Sequence, residues 1–441
     1  MAKIVPFRGI LYNNSKAGNM SDLVTPPYDV IGEREQREYY KKSQYNVIRL
    51  EYGDTRKTDD SHDNRYTRAA AFFAKWLAED ILVREKSQSV YLYEQEFEAS
   101  GHRLTRSGII CGVGVEDYKT GTVLPHEETL AKAKADRLDL LRHCRANFSP
   151  IFGLYDDPCL TVENLASSYT KSDPLLSFRD DNGETHRLWR IDKAADLNTI
   201  IREFSEKKVY IADGHHRYET ALAFHREMLL AGNSNYNFVL MTLVNLYDPG
   251  LVILPAHRLV KNIPDFATAD LLASLAENFT VTPVELPATG RETAAAAKLQ
   301  AAQDSSDGCH IFCLYAAGML YRLSLPRTAA RELMAKKAPE MSLAWRSLDV
   351  AVLQCLVLED RLGIYQEARH SGSNLVYTHS VSQALDEVDS AACQAAFMLS
   401  ATRVPEVLDV ASAGDKMPQK STYFYPKLIT GLVINDFSIG R

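Results

Sequence analysis

The segment Ala212-Asp213-Gly214-His215-His216-Arg217-Tyr218-Glu219-Thr220-Ala221 concentrates a carboxylate, a glycine, two imidazoles and a guanidinium within five consecutive positions. Val209–Ala212 ahead of it reads as a short buried strand. From Tyr218 onward apolar residues recur at helical spacing as far as Ala231-Gly232, where glycine is the expected stop. The helix predicted over His215–Leu230 then carries His215, His216 and Arg217 in its first turn, where unbonded N–H groups and the positive end of the dipole gather. Such a turn suits an anion, phosphate above all. Arg217 offers bidentate contact, His215 and His216 can donate or shuttle a proton, and Gly214 lets the backbone approach. Asp213 suits either a helix cap or a catalytic carboxylate. Adjacent histidines on a helix diverge by about 100°, so no metal ligand set is assigned there.

Four other blocks hold candidate residues. Leu124-Pro-His126-Glu127-Glu128-Thr129 is expected to open a helix running to Cys144, with His126 and Glu127 as an acid/base pair. Cations load that helix; Arg137 or Arg145 could reach a bound phosphate. Thr25-Pro-Pro-Tyr28-Asp29-Val30 is a rigid turn able to hold Tyr28 and Asp29 towards a cleft. Leu254-Pro-Ala-His257-Arg258 follows an apolar strand and again sets His beside Arg. If that strand neighbours Val209–Ala212, both His-Arg pairs line one cleft with His126 and Asp213. Lys420 and Ser421, in a polar loop before a strand expected within 422–435, could grip phosphate. Arg49 and Glu51 alternate on a strand expected over Asn46–Tyr52, where an ion pair is the simpler account.

Several chemistries are excluded by missing motifs. There is no G-x-x-x-x-G-K-[ST], no G-x-S-x-G and no H-E-x-x-H, and Gly112-Val-Gly114 lacks the third glycine of a dinucleotide fingerprint. Fifty Lys+Arg against fifty-seven Asp+Glu give a net charge of −7, which argues against a nucleic-acid partner held by bulk positive charge. No apolar run approaches the roughly 18–20 residues of a membrane span, and the start shows no signal peptide. Seven scattered cysteines without C-x-x-C suit free thiols in a reducing cytoplasm. Cys309 and Cys313 fall on one face of a strand and are expected to pack in the core.

Short β-rich runs alternate with helical patterns throughout, and several strands pair as hairpins, Asp181-Asn182-Gly183 marking one turn. The expected fold is mixed α+β or α/β. Three segments are expected: an N-terminal α/β segment over 1–86 packing on the core, a central region over 87–262 holding the His-His-Arg turn, and a C-terminal α/β domain over 263–441.

Gly214-x-x-Arg217-x-x-x-Ala221 resembles the motif box of the ParB/sulfiredoxin-like superfamily, and Asp213-Gly-His-His-Arg217 within it resembles the signature of the ParB-like free serine kinases. Over most of its length the chain resembles a bacterial family of uncharacterised conserved proteins. The blocks that carry this likeness are Thr25–Val30, Asn46–Glu51, Leu124–Thr129, Ala212–Ala221, Leu254–Arg258 and Met417–Pro426. The resemblance implies that the central region is ParB-like and that the protein transfers phosphoryl groups on a small metabolite. Serine to phosphoserine, with ATP or ADP as nucleotide partner, is the specific expectation; hydrolysis of phosphoserine is its reverse. Asp213 or Glu127 would then act as general base, with Mg²⁺ bridging phosphate oxygens. Gly214, Arg217, His257, Arg258, Lys420, Ser421, Tyr28 and Asp29 would surround the phosphorylated metabolite or nucleotide. The alternatives are a non-catalytic regulatory protein binding the same ligands and a metal-dependent hydrolase.

Overall fold

The computed structural model describes all residues except 100, 130, 305–307, 367, 369–371 and 438–441. The chain is a mixed α/β protein divided into two compact units. One comprises Met1–Pro125, Thr129–Val252 and Pro426–Arg441; the other comprises His126–Glu128 and Ile253–Tyr425.

The first unit is built on a nine-stranded mixed sheet: β1 (Ile4–Val5), β2 (Val90–Ala99), β3 (His102–Gly114), β4 (Val123–Leu124), β5 (Ile151–Tyr155), β6 (Leu176–Arg179), β7 (Thr185–Ile191), β8 (Val209–Asp213) and β9 (Phe238–Asn245). Its order is β4-β8-β5-β9-β3-β2-β7-β6, with β1 also paired to β3. The pairs β4·β8 and β5·β9 are parallel and the others antiparallel. β9 reads Phe-Val-Leu-Met-Thr-Leu-Val-Asn and is buried at every position, as a central strand covered on both faces must be. Five helices matter for the site: α1 (Ile48–Glu51), α2 (Arg65–Ala78), α3 (Ala131–Cys144), α4 (Ala194–Phe204) and α5 (His215–Leu230). α3 packs against both α2 and α5.

The second unit holds a six-stranded antiparallel sheet of β10 (His257–Val260), β11 (Thr280–Val284), β12 (Cys309–Ala316), β13 (Met319–Pro326), β14 (Leu375–Thr378) and β15 (Ala395–Met398). Their order is β11-β13-β12-β15-β10-β14. Cys309 and Cys313 both lie on β12 as free thiols, Cys313 within the core. Among the described residues no helix is long and apolar enough to cross a membrane.

Three local expectations are corrected. Asn46–Tyr52 is not a strand: Val47, Ile48 and Leu50 are fully buried on the short helix α1, nucleated where the Asn46 side chain accepts from Ile48 N–H and donates to Asp22 O. Arg49 and Glu51 consequently do not pair. Arg49 donates to Tyr40 O and Ser43 O, whereas Glu51 takes Arg137 and Ser149. The stretch 422–435 is strand only at Tyr423–Tyr425 and Asn435–Asp436. Pro426 has no N–H to give a ladder, and Gly431 sits at φ +90°. Finally, His126 and Glu127 do not open the helix to Cys144. Glu127 forms a parallel bridge to Met417, Met417 N–H donates to His126 O, and α3 is helical from Ala131.

Candidate anion site at the Asp213–Arg217 turn

β8 ends at Asp213, Gly214 turns the chain, and the sixteen-residue α5 begins at His215. Gly214 has φ +94°, a left-handed conformation that L side chains rarely adopt, and it occupies the N-cap position without a side-chain cap. The Arg217 guanidinium folds back over it. A Cβ on Gly214 would stand 2.9 Å from Arg217 Nη2 and 3.0 Å from Cζ.

Asp213 is therefore not the helix cap. Its Oδ2 accepts from Arg217 Nη2 at 2.8 Å and its Oδ1 from Lys427 Nζ at 2.5 Å. Arg217 Nη1 also donates to Pro150 O. All three charged side chains are largely buried, at 14% exposure for Asp213, 10% for Arg217 and 12% for Lys427. Burial pushes the Asp213 carboxyl up, but Lys427, Arg217 and His215 outweigh it and hold the group far below the usual carboxylate range. A carboxylate so stabilised is a weak proton acceptor at neutral pH. Its geometry is that of a brace holding two cations at the start of α5.

Arg106 adds to the positive field. It is 2% exposed, donates to Gln95 Oε1 at 2.5 Å and Pro426 O at 2.7 Å, and lies 4.7 Å over the Phe152 ring. Burial draws its pKa down to about 10 against the pull of Tyr93, Asp248, Glu184 and Asp213. His215 is buried and His216 half-buried in the same first turn. Tyr218 anchors the helix on β3's flank: its hydroxyl donates to Glu116 O at 2.9 Å and accepts from Glu116 N–H at 3.0 Å.

The other candidates in this unit lie at Tyr28 and Asp29, in a single 3-10 turn, Asp29 exposed and Tyr28 half-buried. The Arg137 guanidinium stands 4.0 Å over the Tyr28 ring. Arg137 itself is 5% exposed and committed to Glu51 and Asp136, so it is an interior cation rather than part of a solvated helix face. Arg137, Glu51, Ser149, Thr220 and Arg217 line a small cavity of about 40 Å³. That volume admits a few waters.

His126, Glu127, His257, Arg258, Lys420 and Ser421 belong to the second unit, where hydrogen bonds tie His126, Glu127 and Arg258 to the Lys420–Thr422 stretch. His126 Nε2 is 2.9 Å from Thr422 Oγ1, Glu127 Oε1 accepts from Lys420 N–H at 3.1 Å, and Arg258 Nη2 donates to Lys420 O at 3.3 Å. Ser421 is buried and its hydroxyl donates to Pro418 O. His257 is 1% exposed, and neither ring nitrogen has a hydrogen-bond partner. Burial lowers its pKa to about 4, helped by Arg258 and His379. β10 does not neighbour β8, since the two strands belong to different sheets. The two His-Arg pairs are thus not adjacent in one sheet.

Two features escaped the sequence reading. Lys427 was hidden by 214 positions of separation from its partner. A cavity of about 350 Å³ in the first unit, lined among others by Glu94, Ser107, Tyr155, Glu163 and Asp248, was hidden because its walls come from five separate segments. Burial there raises Asp248 to about 6, although Ser107 N–H and Gly250 N–H both donate to it.

A mixed α/β fold with a strand-turn-helix motif that carries buried charges is the class that these observations define. Residues 4–351 match the family described as "Protein of unknown function (DUF1015)", and the chain belongs to that family. No curated protein matches it. Among solved structures it is similar to a conserved hypothetical protein from Pyrococcus furiosus, at 12% identity and TM-score 0.33, covering 73% of this chain and 92% of that one. A free serine kinase variant in complex with AMP is similar at 11% identity and TM-score 0.35, covering 74% and 92%. SbnI from Staphylococcus aureus, with its C terminus truncated, is similar at 10% identity and TM-score 0.33, covering 73% and 85%.

Proposed function

We propose that this protein transfers a phosphoryl group to or from a small metabolite whose phosphate is held at the Asp213–Arg217 turn. One observation carries the reading: two largely buried cations, Arg217 and Lys427, share a single carboxylate at the uncapped start of a long helix. The two cations and the positive end of the helix dipole lie at the same place, which suits an anion. Serine or phosphoserine as substrate and ATP or ADP as donor are what the resemblance of Asp213-Gly-His-His-Arg217 to the free serine kinase signature implies. Asp213 does not fit as a Mg²⁺ ligand, because each of its oxygens already faces a cation. In this reading Asp213 positions Arg217 and Lys427, and His216 donates to the phosphate.

A second reading is favoured by the ionised, doubly paired state of Asp213. The same cradle would serve a regulatory protein that binds a nucleotide or phosphometabolite without turnover. Phosphorus NMR of the purified protein with serine, phosphoserine, ATP, ADP and Mg²⁺ separates the two. Phosphate transfer or release supports the enzyme; saturable binding without turnover supports the regulator. Phosphoserine turnover without nucleotide binding makes it a phosphohydrolase. Arg217→Ala should weaken ligand binding by at least about tenfold, the worth of one charge-assisted hydrogen bond. Absence of binding by any of the four ligands overturns the proposal.

A further inference from the structure

We infer that Asp180, Glu184 and His186 form a binding site for one divalent first-row transition cation. The site lies in the first unit, on the β6–β7 hairpin, and uses none of the side chains assigned to the Asp213–Arg217 turn, although Gln95 Nε2 reaches both Glu184 Oε2 and Lys427 O. Register pairs Arg179 with Thr185 and Phe178 with His186, so the two arms bring the three side chains together around the Asp180–Glu184 turn. One ligand atom from each lies within 4.8 Å of the others. Ligands held about 2.0–2.2 Å from a tetrahedral Zn²⁺ stand about 3.3–3.6 Å apart, so the three side chains must draw in around the ion by up to about an ångström.

The imidazole is what points to a cation. His186 is 0% exposed, and its Nε2 has no hydrogen-bond partner although it lies 3.4 Å from Asp180 Oδ2. Buried ring nitrogens are ordinarily satisfied. The opposite nitrogen, Nδ1, is 2.7 Å from the Tyr93 hydroxyl, and the ring stacks against Phe178 at 4.9 Å and Tyr93 at 6.0 Å. With Nδ1–H donating to Tyr93, the Nε2 lone pair would face the carboxylate side, the usual support of a metal-bound histidine; with Tyr93 donating instead, Nε2 carries the proton towards Asp180.

The carboxylates are braced in the same manner. Glu184 Oε2 accepts from Gln95 Nε2 at 2.6 Å, and Gln95 is fully buried and held in turn by Arg106. Asp180 Oδ1 accepts from Glu184 N–H at 2.9 Å, leaving Oδ2 on the imidazole side. Two carboxylates with one imidazole suit Zn²⁺ or Mn²⁺; Mg²⁺ favours an all-oxygen shell with several waters. The competing account is a simple Asp180–His186 ion pair with the imidazole protonated, which needs no cation.

The full chain, stripped with a chelator and dialysed, should be titrated with Mn²⁺ alone by calorimetry and by the EPR signal of free Mn²⁺, then with Zn²⁺ alone. One equivalent should bind. His186→Gln should weaken binding by at least about 100-fold, and Tyr93→Phe by about tenfold, the range for a supporting hydrogen bond. Cys159→Ser, which removes an exposed thiol able to collect Zn²⁺, should leave the titration unchanged. If His186→Gln does not fold, Glu184→Gln must show the same loss. No stoichiometric uptake by the native chain, or uptake unchanged in a folded ligand variant, establishes the ion pair and overturns the site.

Discussion

Lys427 Nζ and Asp213 Oδ1 are joined at 2.5 Å across 214 positions of sequence, and Arg217 closes on the other carboxylate oxygen at 2.8 Å. The start of α5 is thereby tied to a distant strip of chain through one buried anion. Removing that anion takes an ion-pair partner from two largely buried cations, which has a very different cost from losing a helix cap.

Asp213→Asn should accordingly be strongly destabilising. A cap exchange would cost at most about 0.3–1 kcal/mol, because Asn caps as well as Asp. Breaking a buried pair by removing one partner costs about 3–5 kcal/mol. Urea unfolding of Asp213→Asn, Lys427→Met and the double variant should show coupling, with the double variant less destabilised than the sum of the two singles. Additive effects would refute the brace.

Gly214→Ala tests the turn itself. The left-handed conformation costs a non-glycine residue roughly 1–2 kcal/mol. The new Cβ would also meet the Arg217 guanidinium at 2.9 Å and push it off Asp213. Stability should fall modestly while affinity for a phosphorylated ligand falls further, read by calorimetry. Equal losses in a Gly214→Ala and a Gly232→Ala protein, the latter altered at positive φ with no atom within 4 Å of the new Cβ, would show that only backbone strain is at work.

The turn was legible in the sequence because its information is local: a β-rich run, a glycine and a 3.6-residue period specify strand, turn and helix without outside help. The segment Asn46–Glu51 was not. Its β-branched residues favour a strand, but Asn46 bonds Ile48 N–H and Val47 N–H donates to Leu23 O, so contacts more than twenty residues away select a helix. The hairpin Asp181-Asn182-Gly183 was read correctly, yet the cluster it creates was missed. Carboxylates at 180 and 184 and an imidazole at 186 follow no ligand spacing in the chain; only the register of β6 on β7 gathers them. Lys427 left no local signal at all.

His257 should make acid stability depend on one residue. Its folded pKa is about 4, below the ordinary histidine value, so between about pH 6.5 and pH 4 the unfolded chain binds the proton that the folded chain refuses. The neutral ring's contribution is present above pH 6.5 and is lost as pH falls through that window. His257→Leu should therefore lose less stability than the native protein between pH 7 and pH 4.5, measured as the change in Tm. A parallel decline in both proteins would assign the acid sensitivity to other groups.

Lys427→Met separates a positioning role for Asp213 from a proton-accepting one. Lys427 is the largest of the neighbouring charges holding Asp213 down, so removing it moves the Asp213 pKa up towards the ordinary carboxylate range. If Asp213 accepts the substrate proton, the acid limb of kcat/KM should climb with that pKa, because the limb reports the base in the free enzyme. If Asp213 only braces Arg217, the limb should stay in place. The effect should then appear as weaker binding of the phosphorylated ligand, with one cation of the cradle gone. The brace geometry predicts the second outcome. Arg217→Lys supplies the control: it keeps the charge but loses the planar fork that reaches both Asp213 and Pro150, so binding should fall here as well while the limb again stays fixed. A limb that moves upward in Lys427→Met and not in Arg217→Lys would return the role of base to Asp213.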